Sequence, residues 1–197
     1  DLSLEGMLWE PIPSFSGQFK GNGHTISDLT ITGQYSPAGL FVIVEEQGSI
    51  ESLSVRGIVS VSDSADTTTG GIVGINHGTL INCQFTGVVT GDSEVGGIVG
   101  RNESEGTIDH STARAIVTGK SSTGGIAGYN LGAITGCTNV GSINTEYQEA
   151  SLDTDGFTAK MVDYINNKMA AADDDAYLHA QFGAGLDDIA HLPDDAE

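Results

Sequence analysis

The sequence predicts an all-β protein, a right-handed parallel β-helix of about five coils closed by a C-terminal amphipathic helix. Three observations carry this. Gly71-Ile72-Val73-Gly74-Ile75-Asn76 returns as Gly97-Ile98-Val99-Gly100-Arg101-Asn102 and again as Gly125-Ile126-Ala127-Gly128-Tyr129-Asn130, first 26 and then 28 residues on. A near-constant period of this size marks a stack of similar units, each burying its apolar face against its neighbours. Within each unit apolar residues alternate, Val88 apart, or form short β-branched runs broken by glycine, a period near two that fits strands rather than helices. Glycines recur where one strand must bend into the next, and positive φ is cheap for them.

The elements follow in order. Gly23-His24-Thr25-Ile26-Ser27-Asp28-Leu29-Thr30-Ile31 has the apolar spacing of a first, leader coil. Gly39-Leu40-Phe41 opens a looser copy that continues through Gly48-Ser49-Ile50 to Val59; it lacks the Gly and Asn of the motif between Phe41 and Val44, so distortion is expected there. After the first full motif comes Gly78-Thr79-Leu80-Ile81-Asn82-Cys83, after the second Gly106-Thr107-Ile108-Asp109-His110-Ser111, and after the third Gly132-Ala133-Ile134-Thr135-Gly136-Cys137. Coils of three strand segments each are expected over residues 15–145. The chain divides into a solenoid with its leader, 1–147, and an acidic helical cap and tail, 148–197.

Equivalent residues should stack at the strand spacing of about 4.8 Å. Leu80, Ile108 and Ile134 form one inward column, joined by Ile50 and Ile26. Val59, Val89, Val117 and Ile143 form a second, and Leu40, Ile72, Ile98 and Ile126 a third. Asn76, Asn102 and Asn130 fall in register as a structural ladder, bonding backbone of their own turn and the amide above. Cys83 and Cys137 share a column with Ser111 between them, about 9 to 10 Å apart by the strand spacing, beyond the roughly 7 Å a disulfide tolerates between Cα atoms. Two free, buried thiols are expected.

Phe157, Met161, Tyr164, Ile165 and Met169 give the periodicity of an amphipathic helix over 157–172, suited to lie across the last coil and block its strand edge. The tail beyond carries Leu178, Phe182, Leu186, Ile189 and Leu192 among many acids.

Composition restricts function. With 7 basic and 27 acidic residues the formal charge is −20, which argues against nucleic-acid partners and anionic membranes. No apolar run approaches 18 residues, so membrane insertion is not expected.

Candidate chemistry is sparse. Asp153-Thr154-Asp155-Gly156 shares part of a calcium loop, but Ser151 and Val162 stand where its first and closing ligands belong. Asp92, Glu94, Glu103 and Glu105 read as solvated loop acids. Among the histidines, His24 reads as a structural donor, and His77, His110, His179 and His191 show no zinc spacing. Arg56 and Arg114 are equivalent positions flanking Thr86, with no carboxylates stacked beside them to make an acid–base pair. Thr90 and Thr118 recur without forming a regular threonine array. No catalytic residue, metal site or cofactor is expected.

The thrice-used Gly-Gly-Ile-(Val/Ala)-Gly-x-Asn, followed by Gly-x-(Ile/Leu) and a closing Gly-x-(Val/Ile), resembles the GLUG repeat of bacterial surface and secreted proteins, including immunoglobulin A peptidases and haemagglutinin-like adhesins. Phe15-Ser16-Gly17-Gln18-Phe19-Lys20-Gly21-Asn22-Gly23-His24-Thr25-Ile26 is similar to the segment that commonly precedes such repeats. The resemblance covers about two thirds of the chain. It implies a non-catalytic structural or adhesive module of a larger extracellular or cell-surface polypeptide, with a host protein or glycan as partner. The alternative, by analogy of fold, is a carbohydrate-active β-helix enzyme, a polysaccharide lyase or glycoside hydrolase. Aromatic residues make up 6% of the chain, with Trp9 near its start, which leaves few sugar-stacking platforms.

Overall fold

A computed structural model describes residues 1–7, 9–61 and 67–145. These form a parallel β-solenoid of about five turns, with no helix in the described part. The expected capping helix, the Asp153 loop, the acidic tail and the boundary after residue 147 lie outside the described residues.

Each full coil contributes to four sheets, not three. The long sheet stacks Leu2–Ser3, Thr25–Gly33, Ser54–Val61, Gln84–Thr90 and Thr112–Gly119; both Thr138–Asn139 and Ser142–Thr145 pair with the last of these. A second sheet stacks Gln18–Lys20, Ser49–Glu51, Thr79–Ile81, Thr107–Asp109 and Ala133–Thr135. The motif sheet stacks Ile12–Phe15, Phe41–Val44, Val73–Asn76, Val99–Asn102 and Ala127–Asn130. The additional short sheet consists of Thr68–Gly70, Glu94–Gly96 and Thr123–Gly124. Every pairing among these strands is parallel.

The columns follow the period, with one correction. Val59, Val89, Val117 and Ile143 are in register. Ile72 N bonds Ile98 O, and Ile98 N bonds Ile126 O, as a third column requires. In the column of Ile50, Leu80, Ile108 and Ile134, however, the leader supplies Phe19, not Ile26. Ile26 opens the leader's long strand, opposite Leu2 and Val55. The irregularity expected at Phe41–Val44 is also elsewhere. That strand is in register with both neighbours, Val44 standing opposite Asn76. The register shifts instead between Ile26 and Leu29, where Asp28 takes a positive φ of 62°.

The motif glycines answer to packing rather than to positive φ. A Cβ on Gly70, Gly96 or Gly124 would overlap the carbonyl oxygen of Val73, Val99 or Ala127 respectively, three residues on in the same turn. Left-handed backbone occurs at a different corner, between the second and long sheets, and mostly on side-chain-bearing residues: Asn22, Ser52, Asn82 and His110 have φ between 46° and 52°, and Gly136 has 60°. Asparagine and histidine tolerate this region better than most residues.

The core is the space these sheets enclose. Leu29, Val55, Phe85 and Val117 point inward from the long sheet, Ile50, Leu80 and Ile108 from the second, Phe41 and Val99 from the motif sheet; all are fully buried. Phe15, Phe19 and Phe41 form a ring cluster in the first coils, with centroids 5.1 to 6.4 Å apart.

Candidate functional site

Two internal ladders organise the coils. Asn76 and Asn102 are fully buried. Each asparagine donates from Nδ2 to a carbonyl of its own turn (Gly78 for Asn76, Gly106 for Asn102, Gly132 for Asn130), and the first two also donate to the next asparagine. The Asn76–Asn102 and Asn102–Asn130 bonds are both 2.8 Å. The second ladder runs through Cys83, Ser111 and Cys137. Cys83 N–H donates to Ser111 Oγ at 3.0 Å, and Ser111 N–H to Cys137 Sγ at 3.4 Å. Both cysteines are free, Cys83 buried and Cys137 partly so. Burial pushes the Cys83 thiol up to about 11 and raises that of Cys137. Neither is an activated nucleophile, which would need a depressed pKa. Asn76, Asn102, Cys83 and Ser111 are buried, and both ladders run from coil to coil.

The loop acids are not simply solvated. Glu94 opens a short-sheet strand, accepts from Thr68 Oγ1 at 2.9 Å and from Arg101 Nη1 at 3.2 Å. Arg101 Nε lies 2.7 Å from Glu103 Oε1, an ion pair whose angle is too poor for a hydrogen bond. The Arg101 guanidinium also lies 5.0 Å from the centroid of the Tyr129 ring. Asp92 pairs with Lys120. The Arg101 pairs with Glu94 and Glu103 lie within one coil, whereas Thr68–Glu94, Arg101–Tyr129 and Asp92–Lys120 join successive coils. Glu105 fits the solvated reading: it is exposed and accepts from Ser104 Oγ.

A shallow depression lies at the left-handed corner, lined by Ser52, Asn82, His110, Gln84 and Thr112 among others. Asp109 sits beside it, its Oδ1 2.8 Å from His110 Nδ1 and accepting from Thr135 Oγ1 at 2.7 Å. Hydrogen bonds from Thr135 and His110 lower the Asp109 pKa, as Ser104 and Ser3 chiefly do for Glu105 and Asp28. A general acid at neutral pH needs a shift the other way. Among the described residues no group of histidine, cysteine and carboxylate side chains could hold a metal ion, and no helix is long and apolar enough to cross a membrane.

The outer face of the long sheet is built on the longest strands among the described residues. Arg56, Thr86 and Arg114 stand in one column. Next to it Ile58, Val88 and Ile116 form an apolar stripe, and beyond that Ser60, Thr90 and Thr118 form a hydroxyl stripe. Val88 does not break the alternation: Gly87 takes the inward position, and Val88 faces out between two isoleucines that are 46% and 49% exposed. The sequence shows the arginine column; it hides the apolar stripe, because an outward apolar residue looks like a lapse in pattern.

With this geometry in view, comparisons with known proteins narrow the family. Residues 91–118, the coil centred on Asn102, match the GLUG motif. The chain is 36% identical over 100 residues to halomucin of Haloquadratum walsbyi, covering 50% of this chain and 1% of halomucin. It is 30% identical over 144 residues to a Gly-rich membrane protein of Evansella cellulosilytica, covering 54% of this chain and 16% of that protein. The chain thus spans only a small part of either relative. One of the two is archaeal, so similarity of this kind is not confined to bacteria. No solved structure matches significantly. The solenoid carries the GLUG motif, and its coils repeat that motif in register.

Proposed function

We propose that the chain is a non-catalytic, adhesive module of a larger cell-surface protein. The observation that carries this reading is the surface: in-register columns of arginine, serine, threonine and β-branched residues on the long sheet, with Asp92, Glu94 and Glu103 elsewhere tied into ion pairs. Such a surface can grip a partner through many weak contacts. It offers no carboxylate displaced toward acid–base work among those whose pKa is shifted. The relatives' names, halomucin and a Gly-rich membrane protein, support a cell-surface setting. Backbone ladders between coils supply the stiffness such a module needs.

The test is to screen the whole chain against a glycan array and a panel of surface proteins while assaying polysaccharides for depolymerisation. Binding without depolymerisation is expected. Turnover of any polysaccharide, or no binding in either screen, overturns the reading.

A further inference from the structure

We propose that the outer face of the long sheet binds a linear polysaccharide carrying a carboxylate on every second sugar, laid along the solenoid axis with its carboxylates on Arg56 and Arg114. The proposal rests on the adhesive reading and names its ligand.

The charge pattern comes first. Among the described residues no ion pair includes Arg56 or Arg114. In a chain where acids outnumber bases 27 to 7, two exposed arginines without an acid partner, on one column, stand out. The acid nearest in register is Asp28, beside the bulge opposite Arg56. Its carboxylate is occupied by the Ser3 and Ser27 hydroxyls at 2.7 Å each. It closes the arginine column at that end by repelling anions.

Spacing selects the ligand. Arg56 and Arg114 are two rungs apart with Thr86 between, about 9 to 10 Å by the strand spacing. An extended sugar chain advances by roughly one rung per sugar, so a carboxylate on alternate sugars meets each guanidinium, whose planar fork suits a carboxylate. The sugar between them faces Thr86, which offers a hydroxyl and no charge. The stripes alongside complete the match: Ile58, Val88 and Ile116 present apolar surface to the C–H face of the rings, and Ser60, Thr90 and Thr118 present hydroxyls to their rims.

Other polyanions fit less well. DNA places one charge about every 1.7 Å of axis, far denser than two arginines on a body of charge −20 can hold. A polyuronate charged at every sugar would set an unpaired carboxylate against Thr86. An acidic peptide binds sheets by adding a strand at an open edge, and a sheet face offers no backbone groups.

The experiment titrates the isotope-labelled whole chain with a hyaluronan decasaccharide, following backbone amides and arginine Nε–H signals by NMR. Parallel titrations use oligogalacturonate, a neutral cello-oligosaccharide, poly-glutamate and duplex DNA. Hyaluronan should shift signals at 56–58, 86–88 and 114–116, and its affinity should fall at least tenfold in the R56Q/R114Q variant. Both side chains are exposed, and unchanged signals from the core serve as the control for folding. The variant T86R should raise affinity for oligogalacturonate. Overturning results are absence of hyaluronan binding, shifts confined to another face, undiminished binding by the double variant, or equal binding of the neutral sugar, poly-glutamate or DNA. If hyaluronan fails while the chain still captures another glycan or a surface protein, this proposal falls and the adhesive reading stands.

Discussion

Asn76 donates from Nδ2 to Oδ1 of Asn102, 2.8 Å away in the next coil, and Asn102 repeats the bond to Asn130 at the same length. In a dry interior such a chain holds only when each member is satisfied. Asn102→Leu would leave one Nδ2–H of Asn76 without its acceptor and Oδ1 of Asn130 without its donor, a loss of about 1–3 kcal/mol. Asn76→Val should cost less, because the preceding coil already carries Val44 at this position. Urea unfolding of the two variants tests the order; equal losses would show that the ladder is not a cooperative unit.

A second pair of variants separates close packing from backbone strain. Gly96→Ala puts a methyl group into the Val99 carbonyl and the Gly128 amide of the coil above, so backbone must move, and a loss above about 3 kcal/mol is expected. Gly23→Ala meets nothing within 4 Å but sits at φ 77°. It should cost only about 1–2 kcal/mol, the penalty of left-handed backbone for an alanine. Comparable melting temperatures for the two variants would contradict this account of the motif glycines.

These glycines show where the sequence is readable and where it is not. The period alone puts Val59, Val89, Val117 and Ile143 on one line, because stacking is a direct consequence of repetition. The same spacing cannot tell that the recurring glycines answer to a neighbouring carbonyl rather than to positive φ, since a recurring glycine looks alike in the sequence for either cause. The short sheet escapes notice because two or three residues, such as Thr123–Gly124, carry no period. Ile26 follows Gly23 by three residues much as Ile50 follows Gly48 by two, yet Asn22 and Gly23 form the left-handed corner before it, and Phe19 occupies the column. On the surface, the Arg56–Arg114 relation is legible as a register. The shared partner of Glu94 and Glu103, Arg101 of the same coil, is not legible, because ion pairing depends on where side chains point and not on spacing alone.

Arg101 and Arg114 provide a contrast between a structural and a free arginine. Arg101 bridges Glu94 and Glu103 and covers the Tyr129 ring. Arg101→Met leaves two neighbouring carboxylates uncompensated and should cost about 1–2 kcal/mol, most at low salt, where the Debye length is about 30 Å at 0.01 M. Arg114→Met, at an exposed site with no ion pair, should stay within about 0.5 kcal/mol of the parent. Thermal melts of both variants at low and high salt check the difference; a larger effect at Arg114 would be contrary to it.

Cys83 gives the fold a pH dependence of its own. Its thiol is fully buried between the Ile50 and Ile81 carbonyls, and burial raises its pKa from 9.0 to about 11. In the unfolded chain the thiol ionises first, so the unfolded state holds fewer protons once pH passes 9. Stability contributed by the neutral thiol is therefore complete below pH 9 and is lost between pH 9 and 11, by about 3 kcal/mol in all. Cys83→Ser removes the titrating group while keeping a donor that Ser111 already exemplifies in the next coil, bonded to Asp109 O at 3.1 Å. The difference in unfolding free energy between parent and variant should narrow or reverse steadily across that range. A difference that stays constant from pH 8 to 11 would mean that the thiol ionises as readily in the fold as in the open chain, and that this column is wetter than its packing shows.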